Sequence, residues 1–221
     1  MTRSELKNLV WYWLDDLEGG YFTSVQVNTW LNNALVECQK QLLDCGEYWY
    51  LKKVTTSTLA YRDCYALPSD FLKANLLEVL IQGSLSTPQS QTWATIDGNT
   101  LAEGAQINFG NGRPVTVTIG KDCLIFRPIP DTTYTIRLSY SYKVAPMTDD
   151  LNVPDVPLQY HEYIALLAAR DGFSKDEREP SSSFKEKFHD YREMMKKDQI
   201  QRNRAQPRRV VRRSGDGFFG F

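Results

Sequence analysis

The sequence predicts an α+β protein: helix pairs at the two ends form one helical bundle, an antiparallel β-sandwich or barrel-like domain is inserted between them, and an extended C-terminal arm follows. Three observations predict it. Apolar residues recur every three to four positions near both ends, the period falls to two across the middle, and residues 201–221 trade apolar patterning for arginine. The boundaries read as a helical hairpin at 1–47, a β domain at 48–146, closing helices at 147–203 and an arm at 204–221. A composition 42% hydrophobic and 12% aromatic supplies apolar material for one large core or two small ones.

The first helix carries Leu6, Leu9, Val10, Trp13, Leu14 and Leu17 at helical spacing. Thr2 with Glu5 forms a capping-box pattern, and Gly19-Gly20 supplies a stop. Thr23 with Gln26 opens a second helix whose stripe is Val27, Trp30, Leu31, Ala34, Leu35, Cys38 and Leu42, ended by Gly46. Trp11 and Tyr12 lie off the main stripe of the first helix, facing either a neighbouring subunit or the other half of the same fold.

Alternation begins near Tyr48, with Val54, Thr56 and Thr58, then Tyr65-Ala66-Leu67 beyond Arg62-Asp63. Further strands are expected at 76–81, 93–96, 106–109, 115–119, 123–127 and 134–144. Asp97-Gly98-Asn99, Gly110-Asn111-Gly112, Gly120-Lys121-Asp122 and Pro128-Ile129-Pro130-Asp131 provide turn chemistry between them. After a loop from Pro146 to Pro157, helical spacing returns in Leu158, Tyr160, Ile164, Leu167 and Ala168, with Gly172 as the expected stop. Ser183 with Glu186 is the expected cap of the last helix, whose stripe Phe184, Phe188, Tyr191 and Met195 is expected to pack on the first two helices. Pro207 cannot continue it, so fraying is expected over 201–206.

Catalytic and metal chemistry find little support. Cys38, Cys45, Cys64 and Cys123 show no CxxC pair, and they read as small buried hydrophobes, with Cys64 and Cys123 in strands. His161 beside Glu162 and His189 beside Asp190 sit on helices, where sequence neighbours diverge, so neither pair is a dyad. Asp15-Asp16 and Asp149-Asp150 are carboxylate pairs and motivate one enzymatic alternative, a cell-wall-cleaving tail protein. Adjacent acids are more often solvated, and no cofactor is expected. Gly110-Asn111-Gly112-Arg113-Pro114 lacks the phosphate-loop pattern and reads as a turn. No apolar run reaches the ~18 residues of a membrane span, so no membrane partner is expected, and residues 1–20 lack a secretory pattern.

The charge is distributed unevenly. Residues 201–221 hold six arginines against one aspartate, leaving 20 Lys/Arg against 26 Asp/Glu in residues 1–200, a net −6. An acidic body with a basic tail therefore sits behind an overall charge of −1. Arg208, Arg209, Arg212 and Arg213 would suit phosphate or an acidic protein, while Phe218, Phe219 and Phe221 are a liability in water unless a pocket receives them. The tail therefore has three readings: a peptide that docks on protein, a nucleic-acid contact, or an unstructured solubilising end.

The helical pair, then Tyr65-Ala66-Leu67-Pro68-Ser69-Asp70-Phe71, Gly112-Arg113-Pro114, Ile125-Phe126-Arg127-Pro128-Ile129-Pro130, Tyr134-Thr135-Ile136, Tyr140 and a closing helical pair resemble the head-tail adaptor proteins of tailed bacteriophages, in particular those of short-tailed phages. The resemblance spans about residues 1–200. It implies a virion structural protein without catalysis at the head-tail junction, assembled in the host cytoplasm. It further implies a homo-oligomeric ring, a dodecamer, that docks on the portal protein, extends the channel through which genomic DNA passes without specific binding, and receives tail or nozzle proteins. On that resemblance 207–221 would be the portal-docking arm. Trp11, Tyr12, Tyr48, Trp49 and Tyr50 become candidates for the subunit interface, with core packing as the alternative. The rival is a DNA-binding packaging or ejection factor that uses the Arg-rich tail.

Overall fold

A computed structural model describes residues 1–16, 20–45, 47–82, 92–98 and 110–205. The order is α1 (Arg3–Leu14), α2 (Ser24–Cys45), β1 (Leu51–Ser57), β2 (Cys64–Ala66), β3 (Phe71–Gln82), β4 (Thr92–Thr95), β5 (Asp97–Gly98), β6 (Thr116–Ile119), β7 (Cys123–Arg127), β8 (Thr135–Tyr142), α3 (His161–Lys175) and α4 (Ser182–Ala205). The chain is mixed helix and sheet, as an α+β sequence requires.

Helix starts follow local chemistry. The Glu5 amide donates to Thr2 Oγ1 and the Thr2 amide to Glu5 Oε2, closing the expected box. Thr23 and Gln26 exchange the same pair of bonds before α2. Three boundaries differ from expectation. α1 stops at Leu14, before the glycine pair, because Asp15 takes a left-handed φ of 57° and its amide donates to Trp11 and Tyr12 carbonyls; Leu17 lies outside the described residues. Ser181, not Ser183, opens α4, its Oγ accepting from the Phe184 amide. Gly172 does not end α3, which continues to Lys175.

The role of Gly172 is close approach. A Cβ there would lie 2.7 Å from Leu14 Cδ1 and 2.8 Å from Cδ2, so the missing methyl is what lets the end of α1 rest on α3. All four helices contribute to one core, through Leu6, Val10 and Leu14 of α1, Leu31, Leu35 and Cys38 of α2, Ile164 and Leu167 of α3, and Phe184 and Met195 of α4. The α4 stripe packs more broadly than expected. Phe184 meets Trp13 and Phe173, while Phe188 and Tyr191 lie against Tyr163 of α3.

The strands form two four-stranded sheets, ordered β1-β8-β3-β4 and β2-β7-β6-β5. Val79, Ile136, Leu138 and Tyr140 of the first meet Val117, Leu124 and Phe126 of the second in one core. Ladders are antiparallel except β5 with β6. Asp97-Gly98, expected as a turn, is itself β5. Buried Ile96, whose amide donates to the Leu77 carbonyl, carries the chain from one sheet to the other and so removes the hairpin geometry. β1 alternates in sequence yet is exposed on both faces: it is an edge strand paired only to β8, and none of its residues joins either apolar core. The expected strand at 106–109 lies outside the described residues. Cys38 alone among the cysteines is fully buried; Cys45, Cys64 and Cys123 are half-buried, which corrects their reading as core residues.

Where β8 leaves the sheet, two side-chain amides of α2 hold it. Gln39, 3% exposed, donates through Nε2 to the Tyr142 carbonyl at 2.6 Å and accepts from the Val144 amide at 3.2 Å. Asn32, seven residues earlier on the same face, accepts from the Met147 amide at 2.8 Å and donates to its carbonyl at 3.3 Å.

Two expectations follow. Gln39→Leu keeps volume but orphans a buried carbonyl and amide, at about 1–3 kcal/mol for each group, readable as a lower urea midpoint. Gly172→Ala should destabilise by about 1–3 kcal/mol through overpacking against Leu14, despite the ~1 kcal/mol helix-propensity gain alanine brings. A rise in the midpoint would show that Leu14 moves aside freely.

Candidate functional site

The carboxylate pairs are structural. Asp16 accepts from the backbone amides of Gly20, Tyr21 and Phe22, and those bonds, Phe22's foremost, hold its carboxyl below the ordinary value. Asp149 Oδ1 accepts from the Leu151 amide at 2.9 Å, a turn-forming bond. Asp150 receives Arg3 at 2.8 Å and Lys7 at 2.9 Å, and these cations, Lys7 first, lower its carboxyl. Asp16, Asp149 and Asp150 thus fix chain reversals or tie the loop before α3 to α1, while Asp15 caps α1 through its backbone.

His161 is 3% exposed at the start of α3. Its Nε2 lies 2.9 Å from the Val156 carbonyl and its Nδ1 2.9 Å from the Met1 nitrogen, so both ring nitrogens are occupied by packing contacts. Burial, more than any charge, lowers its basicity. His189 lies exposed on α4. Among the described residues no three His, Cys, Asp or Glu side chains gather as a metal site, and no helix is long and apolar enough to cross a membrane.

The aromatic interface candidates separate. Tyr50 is 1% exposed inside the helical core, edge-on to Tyr142, and has no surface to offer a neighbour. Trp49 packs half-buried against Tyr160, and Trp11 half-buried against the same core. Tyr12 is 60% exposed. The side chain of Tyr48, and all of Arg208, Arg209, Arg212, Arg213, Phe218, Phe219 and Phe221, lie outside the described residues.

Sequence reading missed a groove of about 450 Å³ between α2 and the adjoining ends of β3 and β8. Val36, Leu43 and Leu72 form its apolar part, and Lys40, Lys73 and Lys143 surround it with Asp44 as the one acid. Val36 and Leu72 are each about half exposed. No single sequence window contains these residues, which is why no motif marked them. A second missed feature is the loop before α3, where Leu151, Val153 and Leu158 are exposed by 80%, 58% and 73%. Asn152 Oδ1 braces that loop by accepting from the Thr148 and Asp149 amides.

What remains is a molecule with a braced interior, apolar surface patches and a basic tail, the chemistry of recognition. A family model described as SU10 adaptor protein matches residues 1–213. The chain belongs to the SU10 adaptor protein family. This is a family of phage head-tail adaptors, as the motifs around Leu67-Pro68-Ser69-Asp70-Phe71 suggested. In the adaptor that segment turns β2 into β3, and Asp70 there accepts from Lys52 at 2.6 Å and from the Tyr140 hydroxyl at 2.8 Å. Those donors, Lys52 first, lower the Asp70 carboxyl; burial together with Asp70 pushes the Tyr140 phenol up to about 12. A comparison with curated proteins found no match. Family membership makes this a structural component of the phage virion, associated with other virion parts at the neck.

The adaptor's buried histidine gives it a pH limit. With the folded value below the ordinary 6.5, the unfolded chain binds the proton first, so His161's contribution is intact above 6.5 and lost as pH falls through the lowered folded value. Unfolding midpoints between about pH 7.5 and 5 should fall, and His161→Gln should flatten that slope. An unchanged slope would assign the acid sensitivity elsewhere.

Proposed function

We propose that this adaptor assembles as a ring of identical copies docked on the portal, extending the DNA channel and giving tail components their platform. The observation that carries the reading is the family match, which runs through the helices and strands and on to Arg213, the last of the four clustered arginines. The segment 207–221 is the portal-docking arm: Arg208, Arg209, Arg212 and Arg213 pair with an acidic portal surface, and Phe218, Phe219 and Phe221 enter an apolar pocket there. Ordering such a segment costs binding energy, so docking needs both halves.

Charge supports the same reading. A body of net −6 facing DNA repels phosphate and lets the genome slide, while the compensating positive charge is carried by residues 201–221, which this reading assigns to the portal. Among the described aromatic candidates Tyr12, 60% exposed, offers the most surface to a ring neighbour.

Removing residues 207–221 should abolish association with portal while leaving the folded body unchanged by circular dichroism. Suppose instead that portal binding survived and the truncation abolished duplex binding that falls steeply with salt. The arm would then be a DNA contact, and the packaging or ejection reading would replace this one. Particle images should place the chain in a closed ring at the head-tail junction and give its copy number.

A further inference from the structure

The groove beside α2 and the loop before α3 are opposites in both shape and charge. The groove offers Val36, Leu43 and Leu72 between Lys40, Lys73 and Lys143. The loop offers Leu151, Val153 and Leu158 among Asp149, Asp150 and Asp155, and residues 148–158 contain no lysine or arginine. Asp149 and Asp155 are exposed, while Asp150 is already paired with Arg3 and Lys7.

The loop also has a fixed shape. Besides the Asn152 brace, the Arg3 amide donates to the Asn152 carbonyl at 2.8 Å and the Ser4 amide to the Asp150 carbonyl at 3.1 Å, so the loop is sewn to the first turn of α1. The Tyr142 hydroxyl donates to Asp155 Oδ2 at 2.8 Å. Three apolar side chains left in water on so well-held a loop are a preformed knob, and little ordering entropy would be lost when it docks.

We propose that the knob of one copy seats in the groove of the next, Leu151 and Val153 against Val36, Leu43 and Leu72, with Asp149 and Asp155 toward Lys40 and Lys143. This rests on the ring reading and names the contact that builds it. A second copy is the occupant because every copy carries both surfaces in equal number, and neither surface complements itself: lysines would face lysines, and aspartates aspartates. The contact is therefore heterologous, the kind that propagates from copy to copy and closes into a ring. The arm is a poorer occupant, since its arginines would meet the groove's lysines.

Cross-linking between copies tests the contact. Lys40 and Leu151 are exposed, so Lys40→Cys and Leu151→Cys leave the fold intact. The two full-length variants are mixed in equal amounts and treated with a short bismaleimide, alone and with portal protein, and light scattering reads the oligomeric state of the same samples. The mixture should give several-fold more covalent dimer than either variant alone or the unsubstituted chain, whose native cysteines are the control. A sample in which every chain carries Leu151→Lys should fail to assemble, because a cation is then set against the groove's lysines at every contact. Oligomers without the cross-link would overturn this contact and leave the ring standing. Monomers in both conditions would overturn the ring itself. A cross-link that forms only after truncating 207–221 would assign the groove in the full chain to the arm and overturn the contact.

Discussion

Four hydrogen bonds from two amides on one helix face set the relation between the two halves of this molecule. A strand that leaves its sheet exposes backbone donors and acceptors, and inside a protein those groups must find partners. Asn32 and Gln39 meet that demand for residues 142–147, each serving as donor and acceptor at once. Because they sit two helical turns apart, they fix the direction of the departing segment as well as its position. Tyr142 then shares both cores, and Val144 and Met147 enter the helical one. A buried amide left half-paired would cost more than the bond contributes, so the arrangement is strict about residue type.

Ion pairs play a lesser energetic part. Most join partly exposed side chains, where attraction is screened and side-chain entropy is lost, and such pairs contribute little each. Their value is positional. Arg3 and Lys7 reach across from α1 to Asp150, and Arg170 of α3 grips Glu37 of α2 through both guanidinium nitrogens at 3.0 and 2.7 Å. Arg170 is the first cause of the lowered Glu37 carboxyl. These contacts orient helices whose packing energy comes from the apolar core beneath them.

What the sequence made legible was local. Thr2 with Glu5 and Thr23 with Gln26 announced their helices because a cap lies within four residues of what it caps. Gly172 looked like a stop because glycine's local meaning is termination, whereas its actual reason, the Leu14 methyls, lies 158 positions away. Ser183 is the cap expected of α4, but the helix already begins at Ser182, and Ser181 Oγ accepts from the Phe184 amide. Asp97-Gly98 carried turn chemistry but was drawn straight by the burial of Ile96. For the candidate surfaces, composition marked the arm by charge, while the groove is assembled from α2, β3 and β8 and leaves no trace in any one window. Tyr50, open in sequence to interface or core, packs in the core, and the sequence left the choice open because an aromatic cluster reads alike whether it faces a neighbour or a core.

A ring constrains its subunit in a way a dimer does not. The angle between the two contact faces is repeated at every step, so a small error in it accumulates around the circle and either leaves a gap or opens a helix. A protein built for that task needs its two faces on one rigid frame. In this adaptor the groove lies on α2 beside the end of β8, and the knob belongs to the segment that continues from β8 past Asn32 and Gln39. The same amides that satisfy the backbone between the two surfaces therefore fix the angle between them. In the ring proposed for this adaptor, loosening the junction would cost closure as well as stability, because a helical core and a sheet core each keep their own apolar contacts when their mutual orientation is lost.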